Sequence, residues 1–589
     1  MADHEQDTHQ HPPGSRGGNS GWGASTRLPL LLVVAAAVGV YANALGNGLH
    51  VDDQYQIVTN PWVQSLRNLP TIFSSGVWDF DGRVSSYYRP MMYVLYSLVY
   101  AIAGAAPWAY HLLNVALHAG SAALAFLVAR ALLERRAGRN PWWHAPALLT
   151  GLLFAVHPIH TEPVAWAAGV VDLSYSFFYL LAFYILVRGA GRTRNLVLAL
   201  AAYGAALLSK EPAITFPAVA LVYWSLSEGR QLGIRGLARR LAPWIVVSAA
   251  YLALRSVALG GLAPRTSPVG LSPWEYFLTA SALLGRFLRA QVFPTTLNYW
   301  HVFTPVKSLW TFDAAVALAT VGIWAALLVW AVRRRALVPT IALTFTVLPL
   351  TPALMLASLN QGLENAFAER YLYLPSFGAV LLAGWAMAAL YPERGRVARA
   401  LTVALVALGM AGAAVTIQRN PVWKNSLSLW GDVVTKSPGS GLANLNYGFA
   451  LMSAGQTEEG RRQVERAVSI EPDLVQRQMK RAVSYAQSGR SKDAILAFHN
   501  VLAMDPRSAQ ARYNLGVLYE RLGNDSAAVR EYLEAIALDP NAADAHNNVG
   551  ILLFTAGYRE QARQHLEEAV RLQPKDPAFR ANLERARAQ

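Results

Sequence analysis

The sequence predicts an all-α protein in two halves, a polytopic membrane body of about eleven spans followed by a helical solenoid. Three observations predict it. Hydrophobic residues make up 54% of the 589-residue chain and charged residues only 15%, too apolar a balance for an ordinary soluble protein. Arginines gather in short clusters between apolar runs, as in membrane proteins with cytoplasmic basic loops. From about residue 418 the chain turns charged and alanine-rich, and proline and glycine recur in step.

Composition also excludes. The net charge of +15 suggests nucleic acid only until the arginines are located, because they do not line one soluble face. The absence of cysteine removes disulfides, thiol catalysis and Cys-ligated metal.

Residues 1–27 read as a disordered cytoplasmic tail, polar and without periodicity. The run 28–45 is long enough to span. Ala42-Asn43-Ala44 resembles a signal-peptidase site, but the long polar leader favours an uncleaved anchor. Further spans are expected near 108–133, 145–163, 164–187, 195–209, 212–226, 242–259, 313–332, 337–357, 371–391 and 398–417, so the membrane body is 28–417. Clusters at Arg130–Arg139, Arg188–Arg194, Arg230–Arg240, Arg333–Arg335 and Arg394–Arg399 occupy every second connection. That alternation puts them and the N-terminus in the cytoplasm and the C-terminal half outside, an inner-membrane protein with an extracytoplasmic solenoid.

The opposite connections carry the ionisable groups. The first, 46–107, holds the adjacent Asp52 and Asp53, then Tyr87-Tyr88-Arg89-Pro90. The dozen apolar residues from Met91 to Ala103 suit an interfacial or re-entrant helix. The same face holds His157, His160 and Glu162, then Lys210 and Glu211, a loop from Gly260 to about Phe312, and Glu369 with Arg370. Ionisable groups at span ends facing one compartment are the signature of a site. A desolvated carboxylate of the Asp pair suits a general base, and the pair could also hold a divalent cation, Mg or Mn, through its oxygens. Arg89 can present a bidentate fork to phosphate, with Lys210 and Arg370 as similar candidates; the alternative is a lipid-headgroup anchor for Arg89 and structural ion pairs for the other two. His157, His160 and Glu162 suit metal or sugar hydroxyls. His111, Asn114 and His118 share one helical face and serve equally as helix–helix glue.

After a linker at 418–437, prolines at 438, 472, 506, 540 and 574 and glycines at 455, 489, 523 and 557 keep a 34-residue step. Small residues recur at Gly448, Ala482, Gly516 and Gly550. This is the tetratricopeptide (TPR) period, about four helix–turn–helix repeats over 438–589, a module that binds proteins or peptides on its concave face.

Taken with these repeats, the strings LHVDDQ, SSYYRP, YHLLNVALH, LLFAVHPIHTEPVAW, LLSKEPAIT and FAERYLYLPSFG resemble the transmembrane-and-TPR O-mannosyltransferases. In that family a membrane glycosyltransferase of GT-C type carries C-terminal TPRs. The resemblance runs in the same order from about residue 28. It departs at Gly169-Val170-Val171-Asp172, where the family tends to place an Arg before the Asp. It implies a polyprenyl-phosphate-linked sugar donor (mannose or a related hexose), an outward-facing site, inversion by a carboxylate base in the first loop, and a protein acceptor recruited by the repeats. Asp52 and Asp53 would then be catalytic; Arg89, His157, His160, Glu162, Lys210, Glu211, Glu369 and Arg370 would hold donor phosphate and sugar. The alternative is a non-catalytic membrane scaffold, which has no use for ionisable clusters at several span ends. A transporter fits less well, since the charges gather at one face and not at mid-membrane.

Overall fold

A computed structural model describes residues 26–82, 85–137, 144–189, 192–261, 270–359, 366–390 and 395–588. Most of the expected N-terminal tail, with Arg139 and Arg394 of the basic clusters, lies outside them. Among the described residues the secondary structure is helical throughout, with no strand.

All eleven expected apolar segments fall on helices, and among the described residues eight helices are long and apolar enough to cross a membrane. The other three fall on shorter helices: Thr193–Ser209 matches its expected segment, whereas His144–Val156 and Phe216–Ser227 stop short of theirs. Proline explains both shortfalls. Pro158 opens a tight turn directly after Val156, and Pro212 and Pro217 confine Glu211–Thr215 to a single turn before the next helix. The helices differ in what they face. Gly395–Arg419 leaves Val403, Leu408 and Met410 more than half exposed, an apolar surface that only lipid satisfies, whereas Val170–Gly189 is largely enclosed. Lipid supplies little drive for apolar burial, so close packing holds the body together. A Cβ on Gly378 would lie 2.3 Å from the Ala342 carbonyl oxygen, so the Leu337–Val347 and Tyr373–Leu390 helices meet backbone to backbone.

The apolar stretch after Arg89 forms the helix Pro90–Ala103. It buries Met92, Tyr93 and Tyr96 against Ile57, Ile72 and Val77 of the first loop and Val170 and Val171 of the Val170–Gly189 helix. This helix therefore seals the first loop onto the membrane body.

The C-terminal half forms four helix pairs, from Gly441–Ser453 with Thr457–Ile470 to Ala543–Thr555 with Arg559–Leu572, closed by Pro577–Ala588. Gly455, Gly489, Gly523 and Gly557 all have φ between 73° and 88°, the left-handed conformation that ends the first helix of each pair. Gly448, Gly516 and Gly550 sit where the paired helices cross; an added Cβ would lie 2.5–2.8 Å from Gly460, Tyr532 or Leu566. Between body and repeats, residues 426–436 form a helix with an Asn425–Ser428 capping box. The repeats touch the first loop directly through Arg490–Asp81 at 3.4 Å, and the linker does so where the Gly48 N–H donates to the Lys424 carbonyl at 2.9 Å. First loop and solenoid thus lie on the same side of the spans.

Candidate active site

Val51 is β-branched yet has φ of 56°, a strained conformation that such residues rarely adopt. It swings the chain into a helical segment that starts with Asp52 and Asp53 and then widens over Gln54–Val58, where the Thr59 N–H reaches back to the Gln54 carbonyl. The two carboxylates consequently face different surroundings. Asp53 is fully buried. Its Oδ1 accepts the Ala168 N–H at 2.8 Å and its Oδ2 the His50 N–H at 3.2 Å. Burial pushes its carboxyl well above the ordinary range, and the neighbouring Asp52 charge adds to the effect. Asp52 is only partly covered.

The residue that anchors Asp53 belongs to a compact turn, Glu162–Gly169, at the head of the Val170–Gly189 helix. Asn114 fastens this turn by donating to the carbonyls of Trp166 at 2.7 Å and Ala167 at 3.3 Å. Gly169 admits no side chain, since a Cβ would lie 2.0 Å from the Pro163 carbonyl oxygen. Four residues beyond Ala168, Asp172 meets the Lys210 ammonium at 2.5 Å. A single stretch of backbone therefore ties the Asp pair to the basic residues.

Three cations converge there. The Arg89 Nε and Nη2 donate to both oxygens of Glu211 at 2.9–3.3 Å, and its guanidinium lies 4.3 Å from the centre of the Tyr87 ring. Arg370 donates from its backbone N–H to Glu162 Oε2 at 2.9 Å and from its guanidinium to Oε1. Lys210 and Arg370 flank one ring, Tyr371, at 4.8 and 5.2 Å from its centre. Burial pulls the Lys210 ammonium below its usual range, and the charges of Arg89 and Arg370 add to this against the attraction of Asp172. Burial alone would raise Glu211, but the Arg89 charge outweighs it and holds the carboxyl below its ordinary value.

The ion pairs are not those suggested by sequence adjacency. Lys210 pairs with Asp172 and not Glu211, and Arg370 pairs with Glu162 and not Glu369. Glu369 accepts from the Asn298 backbone and lies 3.2 Å from His301 Nε2, on the side of the long loop. The histidines are also placed away from the cations. His157 Nε2 donates to the Gln291 carbonyl at 3.0 Å while its Nδ1 accepts the Ile159 N–H; His160 is fully buried between Phe154 and Tyr373, with Nε2 2.7 Å from Ser376 Oγ. His118 is interhelical glue, bonded to the Ala155 carbonyl and the Tyr373 hydroxyl.

Among the described residues no three His, Asp or Glu side chains gather to hold a metal. Asp53 commits an oxygen to each of two backbone N–H groups. The donors present do not fit a resident Mg or Mn at the Asp pair, and no step below uses one.

Three further residues of the cluster carried weaker sequence signals. Asp172 is an acid at the mouth of a span, and Tyr299 lies within electrostatic reach of Asp52, Asp53, Glu162 and Arg370. Arg255, a lone arginine at the end of the Gly229–Leu259 helix, donates to the Ser86 carbonyl at 2.9 Å, acts on Glu211, and keeps a buried Nη1 with no hydrogen-bond partner.

The fold and these contacts define a polytopic helical membrane protein with a TPR solenoid and an acid pair wired to a basic cluster. The tetratricopeptide-repeat family model matches residues 479–543 and 526–577. Its homologues over the larger part of the chain are the TMTC protein O-mannosyl-transferases. It is 25% identical over 507 residues to the mouse protein O-mannosyl-transferase TMTC3, covering 79% of this chain and 53% of that one. Human TMTC1 is 27% identical over 495 residues, covering 75% and 55%, and a 189-residue stretch is 38% identical to Drosophila melanogaster Tmtc1, covering 31% and 21%. The chain thus spans about half the length of the relatives it matches over three quarters or more of its own length. Among solved structures, the first TPR of Spaghetti (RPAP3) bound to an HSP90 peptide is 20% identical with a TM-score of 0.19, covering 19% of this chain and 90% of that one.

Proposed function

We propose that the protein is an integral-membrane, inverting glycosyltransferase that moves mannose or a related hexose from a polyprenyl-phosphate donor to a hydroxyl on a protein. The observation that carries this reading is the wiring of the Asp pair, through the Ala168–Asp172 backbone, to Lys210 and its neighbours Arg89 and Arg370. Transfer from a lipid phosphate needs a base at one end of the reacting line and cations at the other, held in fixed relation.

In this reading Asp52 is the general base and Asp53 a positioning residue. Asp53 has both oxygens turned to backbone N–H groups, whereas Asp52 is partly open. Asp52 takes the proton of the acceptor hydroxyl as its oxygen attacks the anomeric carbon. The bond from that carbon to the phosphate oxygen breaks with inversion, and the electron pair leaves on the lipid phosphate. Arg89, Lys210, Arg370 and the spare Nη1 of Arg255 face that growing charge. Glu211, Asp172 and Glu162 keep the cations apart and aimed before the donor arrives. The Arg-cluster alternation supports a site that faces away from the cytoplasm, and the contact of the solenoid with the first loop supports a role in presenting the acceptor there.

The test is sugar transfer by the purified full chain from radiolabelled polyprenyl-phosphate sugars, beside the Asp52→Asn/Asp53→Asn double variant. Turnover by the native chain that the variant lacks is the expected result. A folded protein that turns over no donor, with cell-envelope extract offered as acceptor, would sink the proposal.

A further inference from the structure

A second basic site lies in the seam between the last span and the repeats, separate from the Asp pair. A cavity of about 1040 Å³ opens there, lined by Arg286, Arg419, Lys436, His301 and Val415, and adjoins a smaller one of about 350 Å³ through Arg286 and His301. Its cations are incompletely matched. Asp432 serves both Arg419, at 3.0 Å, and Lys436, at 2.6 Å. The Arg419 side chain is only 6% exposed, yet its Nε and Nη2 have no hydrogen-bond partner. Arg286 donates to the neutral-ring acceptor His301 Nδ1 at 2.9 Å; burial and the Arg289 charge pull its guanidinium below the usual range. Buried guanidinium N–H groups without acceptors are costly, and an anion in the cavity would satisfy them.

The apolar surroundings say what carries the anion. Val415, one turn before Arg419 on the Gly395–Arg419 helix, lines the same cavity and is 41% exposed on a helix whose surface faces lipid. Phe293, at the rim of the smaller cavity, is 70% exposed. A charged head at Arg419 and Arg286 above an apolar track along the span matches an amphiphile entering from the bilayer.

We propose that this seam binds a lipid phosphate, with the phosphate oxygens on Arg419 and Arg286 and the tail along the last span. Two sources share this chemistry, a membrane phospholipid and a polyprenyl phosphate.

The test uses the delipidated full chain in detergent, offered phosphatidylglycerol, undecaprenyl phosphate or phosphatidylcholine singly and in pairs, with retained lipid counted by mass spectrometry. Wild type is expected to keep about one anionic lipid per chain at this seam and little phosphatidylcholine. Arg286→Gln and Arg419→Gln should each lower anionic retention at least fivefold, while Arg461→Gln on the exposed solenoid surface leaves it unchanged. Arg286→Gln guards against misfolding, because the side-chain contacts it gives up among the described residues are a hydrogen bond to an uncharged histidine and a stack on Phe367, with no ion pair. Phosphatidylglycerol displaced by undecaprenyl phosphate assigns the site to the polyprenyl lipid, and the reverse assigns it to phospholipid. Retention in Arg286→Gln equal to wild type, retention lost only in Arg89→Gln, or equal retention of phosphatidylcholine would each overturn the proposal.

Discussion

Separating Asp52 from Asp53 is the sharpest perturbation of the catalytic reading. In Asp53→Asn the single amide oxygen can accept only one of the two N–H groups, Ala168 at 2.8 Å or His50 at 3.2 Å, and the other faces an NH₂. A buried donor left without an acceptor costs about 1–3 kcal/mol. Removing a fully buried carboxylate gives back part of this, so a net loss of about 1 kcal/mol is expected, read as a lower unfolding temperature in detergent. Asp52→Asn should change stability by less than about 0.5 kcal/mol, since the residue is partly open. Its effect belongs in turnover, with a loss of roughly 10²–10⁴-fold for a missing general base. Donor turnover and thermal unfolding measured on the same preparations separate the two roles. Asp52→Asn turning over within tenfold of wild type refutes the assignment. So does Asp53→Asn losing turnover by that factor with an unshifted unfolding temperature.

Other predictions rest on single contacts. Gly169→Ala places a Cβ on the Pro163 carbonyl oxygen; a loss of about 3 kcal/mol or more is expected, visible as low yield of folded protein, and wild-type yield would remove the rigid turn from the argument. Glu211 binds fewer protons folded than unfolded near pH 4, because Arg89 lowers its carboxyl below the ordinary value of about 4.3. Its stabilisation is therefore fully present above that pH and is lost as pH falls through the lower folded value; Glu211→Gln should flatten this acid limb in a pH series of unfolding temperatures. Arg255→Gln should lower kcat/KM for the donor about tenfold with unfolding little changed, whereas an unaltered kcat/KM would exclude Arg255 from the phosphate. Arg490→Gln removes the solenoid's contact with Asp81 and should speed hydrogen exchange in the Ser491–Met504 helix while Arg559–Leu572 exchanges as before.

The repeats were almost wholly legible in the sequence, because each 34-residue step writes a local requirement into a residue type: Gly523 must take φ of 73°, and Gly516 must let Tyr532 approach. The apolar segments were legible too, but not all their lengths, since Pro158 follows the early end of the helix expected over 145–163 and Pro212 and Pro217 delay the one expected from 212. At the candidate site, the motif strings contain the acids and cations that the structure gathers, and adjacency then misled. Lys210 stands beside Glu211 but turns to Asp172, 38 positions away, and Arg370 reaches Glu162 across 208. Neighbours in an extended corner point apart, and only tertiary packing decides which carboxylate each cation finds. His157 and His160 illustrate the same limit: ring chemistry suggests ligands, but packing against Phe154 and capping of a turn leave those rings facing inward.

The turn from Glu162 to Asp172 has a consequence for how such a site can change. One end holds the partner of Arg370, the middle grips Asp53, and the far end holds Lys210, while Gly169 leaves no slack between them. It behaves as a yoke. Any substitution that shifts one arm drags the others, so under the proposed function a new donor preference would have to arise around the yoke, in Tyr299, Arg255 or the long loop, and not within it.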